Sequence, residues 1–329
     1  MRAALYKDKL VAEIVKLDTP RVGLEDVLVK TVRSSICGSD VNGVGVLVDG
    51  QFGHETAGYI VDMGKNVTGF AEGDRVWINP MNAMQSALES CMLGGFSDYI
   101  LVPHAKLDYN LYLLPETISW DEASLIEPFG VGTRGKNRPG VKTGDNVVVY
   151  GAGSIGLFCI SALVAQGIIP VVVDIALSDY KRTLLEKIGA VIAPLDGDKF
   201  TFFKEHFGMT IGALGEVLNI DVVVDCAGAP TIIQDFFRIL KENSRLSIVG
   251  VNNVPQEMSL RLLMAAESTV MGSKGYRHED VKEVIDNLSH QRTLVKEIIT
   301  HHFPLEEINE ALRTAADRDK AIKVVIDME

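Results

Sequence analysis

The chain has 329 residues, too many for one ordinary hydrophobic core, so two domains are expected. Hydrophobic residues make up 47% and charged residues 23%, a globular balance that excludes extended disorder. The net charge of −12 is spread along the chain and excludes a nucleic-acid partner, which needs a basic face.

No apolar run reaches the roughly 18 residues of a membrane helix, and the N-terminal MRAALYKDKLVAEIV lacks a signal-peptide core. No membrane partner is therefore expected. Cys37, Cys91, Cys159 and Cys226 are too few and too widely spaced for a disulfide framework, which points to a reducing cytoplasm.

In chain order, the N-terminal third reads as short strands broken by glycine and polar turns. Asp26–Val32, Ala57–Met63, Asp74–Ile78 and Phe96–Val102 are the clearest, with Glu72-Gly73-Asp74 as one of the turns. Strands without intervening amphipathic helices predict a mostly antiparallel, barrel-like domain. The pattern changes at Ser119, a helix N-cap with Glu122 placed three residues later as a capping box requires.

From Asn146 the chain alternates strand and helix. Asn146–Tyr150, Pro170–Val173, Asp221–Asp225 and Leu246–Val249 are apolar runs suited to parallel strands buried on both faces. Ser154–Gln166 and Thr231–Lys241 have helical periodicity, so an α/β fold with a doubly wound parallel sheet is expected. Helices at Asp280–Ser289 and Leu305–Thr314 and a strand at Lys323–Ile326 close the chain. This tail either completes the parallel sheet or returns to the first domain.

Gly151-Ala152-Gly153-Ser154-Ile155-Gly156 follows a strand and opens a helix. Gly151 permits the tight turn, Gly153 lets backbone N–H groups approach a pyrophosphate, and Gly156 lets the helix pack against the strand. Asp174 ends the next strand, 21 residues past Gly153, where a carboxylate meets ribose hydroxyls and repels a 2′-phosphate. NAD is therefore expected rather than NADP. Cys37, His54, Glu55 and Glu127 offer the thiolate, imidazole and carboxylate types that zinc accepts. Each alone also has another reading: a small buried cysteine, a surface His-Glu pair, a helix carboxylate facing water.

The strings CGSD, GHE, GDRV, EP, GAGSIG and THHFPLEE, in this order across almost the whole chain, resemble the zinc-containing medium-chain dehydrogenases. The resemblance implies a GroES-like catalytic domain over 1–126, completed by 273–329, and a Rossmann domain over 127–272. It implies that Cys37 and His54 bind one catalytic zinc, with Glu55 and Glu127 competing for the carboxylate position. Ser39 would start the proton relay, and Asp40 would orient His54. The GHE and EP carboxylates point to the polyol and threonine dehydrogenase branch. Ile155, Lys181, Val249, Gly250, Val251, Gly275 and Tyr276 are implied cofactor neighbours, and Arg277 a donor to a polyol oxygen.

Two departures from the family pattern matter. Residues 79–95 carry only Cys91 where relatives with a second zinc have four cysteines, so no structural zinc is expected. Asn42 replaces the relay histidine of many relatives, and an amide cannot be protonated near neutral pH. The expected reaction is hydride transfer between NAD and a small secondary alcohol or ketone, in a homodimer or homotetramer. A zinc-free quinone or enone reductase and a catalytically silent dinucleotide binder are the alternatives.

Overall fold

The computed structural model describes residues 1–44, 46–47, 49–83, 94–195, 198–212 and 215–328. Cys91, and with it the expectation about a structural zinc, lies outside the described residues. The chain divides into two compact units: Met1–Pro128 with Ile285–Gln291 and Val295–Glu329, and Phe129–Val284 with Arg292–Leu294.

The first unit holds a mixed sheet. Its strand order is Ile299–Pro304, Lys323–Asp327, Val27–Ser35, Glu55–Met63, Arg75–Ile78, Leu111–Leu113, and Tyr99–Val102 also pairs with Val27–Ser35. All pairs are antiparallel except the first. Alternating residues such as Val27, Val29, Ile60, Val76, Ile78 and Ile100 form one core, as the two-residue period of a strand dictates. Phe52, Phe96, Leu305, Leu312 and Ile326 form another. The C-terminal strand thus settles where the tail goes. It lies beside Val27–Ser35 with Val325 opposite Ser35, so the tail returns to the first domain.

The second unit holds six parallel strands ordered Val191–Ile192, Val171–Val173, Val147–Tyr150, Val222–Asp225, Arg245–Ile248, Thr269–Gly272. Val147–Tyr150 and Val222–Asp225 are buried throughout, as central parallel strands must be. The strand order reverses beside Val147–Tyr150, the position where such sheets receive ligands at their carboxyl ends. Residues 273–284 lie in this compact unit, where buried Lys136 donates to Glu283 at 2.7 Å, and Asn137 donates to Asp280 and Glu283 at 2.8 Å. Among the described residues, no helix is long and apolar enough to cross a membrane.

Candidate metal centre and dinucleotide site

Strand register assembles the candidate metal centre within the first unit. Ser35 ends one strand, faces Glu55 at the start of the next, and lies opposite Val325 on its other side. The chain leaving Ser35 turns at Cys37 into a one-turn helix, Gly38–Val41. Asp40 locks that turn by accepting the Cys37 N–H at 2.8 Å. His54 is held from the other direction by Gly53, whose φ is +92°. A Cβ at Gly53 would lie 2.8 Å from the Phe96 ring, so no larger residue fits there.

Ligand atoms of Cys37, His54 and Glu55 all lie within 4.8 Å of one another. His54 is buried, and its Nδ1 stands 3.5 Å from Asp40 Oδ1. Glu55 is fully buried, yet its Oε1 has no hydrogen-bond partner among the described residues. Its Oε2 accepts the Ser35 hydroxyl and lies 2.5 Å from Lys323 Nζ. A half-buried thiol, a buried imidazole and a buried carboxylate with one unpartnered oxygen are the donor types that a zinc site uses. The geometry fits the metal.

Glu127, in the first turn of the Ile126–Asn137 helix, is buried beside this cluster. Burial pushes its pKa up to about 7; Glu55 and Asp40 add to the rise, while His54 and Lys323 oppose it. For His54, burial favours the neutral ring, but Asp40, Cys37 and Glu127 outweigh it and hold the pKa well above the usual range. In the metal-stripped protein, folded Glu127 keeps a proton between its unfolded pKa of 4.5 and about 7, which the unfolded chain has lost. Stability therefore falls as pH rises through that window, and the penalty is complete above it. Glu127→Gln should be more stable than wild type above pH 7 in chelator, with the advantage vanishing below 4.5. Parallel melting profiles across that range would contradict the assignment.

Sequence reading did not single out Ser35 or Lys323. A lysine opening an apolar strand looks like a solvated strand end. Only the pairing of that strand with Val27–Ser35 shows that Lys323, two residues before Val325, shares the face of Ser35 and Glu55. Ser39 is half-buried, and Asn42 is exposed with its amide donating to the Gly38 carbonyl at 2.8 Å.

The dinucleotide motif lies at the carboxyl end of the central strand of the second unit. Gly151 has φ +95° and packs against Ala227, and a Cβ on Gly156 would overlap the Gly151 carbonyl. A Cβ on Gly153 would project into open space, the room a pyrophosphate needs in front of the Ser154–Ala165 helix. Asp174 Oδ2 accepts the Ala152 N–H at 2.5 Å, and Oδ1 accepts the Ala176 N–H at 2.7 Å. Each oxygen retains a lone pair for a ribose hydroxyl. These features fit a dinucleotide.

Val249 and Gly250 both donate their N–H to the Asp225 carbonyl at 2.8 Å, and Val251 is 84% exposed. This segment lies at the same strand ends as the glycine turn. Lys181 is in the first turn of Asp179–Ile188, half-buried. Tyr276, expected beside a nicotinamide, is buried against Gly130, while Arg277 is exposed with its guanidinium donating to the Tyr276 carbonyl.

Two family models match the chain, "Alcohol dehydrogenase GroES-like domain" over residues 23–116 and "Zinc-binding dehydrogenase" over 154–290. The chain is 31% identical to a sorbitol dehydrogenase of Ovis aries, covering 93% of this chain and 90% of that protein. It is 29% identical to an L-threonine 3-dehydrogenase of Caldanaerobacter subterraneus subsp. tengcongensis, covering 92% and 91%. A 2R,3R-butanediol dehydrogenase structure from Bacillus subtilis superposes with a TM-score of 0.84 at 25% identity, covering 99% of both chains.

Proposed function

This chain belongs to the zinc-containing medium-chain dehydrogenases, of the polyol and threonine branch, and from that premise we propose how its residues oxidise an alcohol. It is an NAD-linked oxidoreductase acting on a CH–OH group, with a polyol, sugar-derived alcohol or amino alcohol as substrate. The observation that carries this reading is the convergence of Cys37, His54 and Glu55 in a GroES-like domain.

Cys37 and His54 hold one zinc, and Glu55, through its orphaned Oε1, or Glu127 completes the protein ligands. When bound, zinc supplies a Lewis acid that acidifies the substrate hydroxyl, and NAD supplies the hydride acceptor. Ser39 accepts the hydroxyl proton's hydrogen bond. Asp40 fixes the tautomer and tilt of His54, as carboxylates behind ligating imidazoles do. Asn42 holds the Gly38 carbonyl and has no proton to exchange, so the proton passes from Ser39 to water. Arg277, being exposed, remains available to a substrate oxygen. A single zinc, a cytoplasmic location and a dimer or tetramer complete the proposal.

Steady NADH formation from a panel of diols, sugar alcohols, cyclitols and amino alcohols tests it. Turnover of at least one, lost on chelation and restored by zinc, is the expected result. Turnover of enones with NADPH and without metal would instead favour a zinc-free reductase. For Asp174→Ala, the NAD Kd should rise roughly tenfold and the preference over NADP should narrow, since a carboxylate hydrogen bond is worth about 1.5–3 kcal/mol. An unchanged cofactor ratio would show that this carboxylate does not meet the ribose.

A further inference from the structure

Lys323 is 4% exposed and Glu55 is fully buried, so their contact is a buried ion pair in the floor of the metal centre. Lysine is almost never buried without a partner. The pair uses the two oxygens of Glu55 unequally. The Ser35 hydroxyl and the Lys323 ammonium both engage Oε2, while Oε1 has no hydrogen-bond partner among the described residues. Cys37 and His54 share this cluster with Glu55, and Glu127 is buried beside it. A carboxylate packed out of water is costly unless a positive charge sits against it.

We propose that Lys323 is the resident cation of the metal-free centre. It neutralises buried Glu55 before zinc enters, and afterwards opposes the charge of the ion, so that zinc is bound less tightly than the same ligands alone would bind it. This rests on the zinc reading above. Its physical content is an antagonism: charge at residue 323 and a dication at the ligands each weaken the other's stabilisation, and by linkage the effect is reciprocal. The benefit is a site that folds without metal, with zinc still exchangeable.

The test compares wild type, Lys323→Met and Lys323→Arg by zinc titration against a fluorescent chelator and by thermal melting with and without zinc. In Lys323→Met, zinc should bind at least roughly tenfold tighter, because a neighbouring buried positive charge has gone. The metal-free variant should melt well below wild type, and zinc should remove most of that deficit. Lys323→Arg keeps the charge and should stay near wild type in both measurements. Should Lys323→Met not fold without metal, Lys323→Gln, which keeps a donor but no charge, carries the affinity comparison. Zinc affinity that is unchanged or weaker in the uncharged variants overturns the proposal, as does a melting deficit equal with and without zinc. Zinc bound equally well by wild type and Cys37→Ala would instead overturn the metal centre itself, and the role of Lys323 with it.

Discussion

Replacing Cys37 by alanine should remove zinc and lower kcat/KM by well over about 100-fold, more than the loss usual for groups that only orient a metal ligand. Cys37 is a half-buried residue at the start of a one-turn helix, outside the strand cores, and the Asp40 bond that locks the turn uses its backbone N–H. The chain should therefore stay folded. The thiolate contributes negative charge and a soft ligand that neither water nor a hydroxyl replaces at equal affinity. Metal content, NADH formation and circular dichroism together read the outcome. A variant that keeps both zinc and turnover would show that the ion, if any, is held elsewhere.

Gly156→Ala should raise the NAD Kd by at least about 100-fold and cost the fold about 1–3 kcal/mol, the usual penalty of forcing an atom into a packed site. The new methyl would overlap the Gly151 carbonyl oxygen. Gly151 cannot retreat, because its φ of +95° and its contact with Ala227 fix the turn. The first turn of the Ser154–Ala165 helix must then lift from the strand, carrying away the N–H groups that face a pyrophosphate. Gly153→Ala is the informative contrast. Its methyl points into open space, so stability should hold while NAD binding alone weakens. Zinc content should be unchanged in both. Equal NADH titrations for wild type and Gly156→Ala would show that the dinucleotide does not use this turn.

Local pattern made much of this molecule legible. The apolar runs around Val147–Tyr150 and Val222–Asp225 suit central parallel strands, and the glycine turn between strand and helix has one common use. The capping box at Ser119 and Glu122 is present, with the Ser119 N–H donating to the Glu122 carboxylate at 2.9 Å. Cys37, His54 and Glu55 could be named as candidate ligands because chemistry selects those residue types.

What stayed hidden depends on long-range pairing. The N-terminal hairpin of Arg2–Asp8 and Val11–Lys16 has mixed burial and no strong alternation. The Met209–Gly212 and Gly215–Leu218 hairpin is largely exposed, so burial leaves no mark on its sequence. Lys323 acquires meaning only when a C-terminal strand is laid beside Val27–Ser35, far away in sequence. In the second unit Lys136, Asn137, Asp280 and Glu283 likewise meet across distant helices, a polar contact that no local window reveals.

The most direct measurement is anomalous diffraction at the zinc edge from crystals of the zinc-loaded protein. One peak about 2.3 Å from Cys37 Sγ and about 2.0 Å from a ring nitrogen of His54, with a carboxylate oxygen completing the protein ligands, is the predicted result. A peak bonded to neither residue, or none from protein that oxidises alcohols with NAD, would contradict the account.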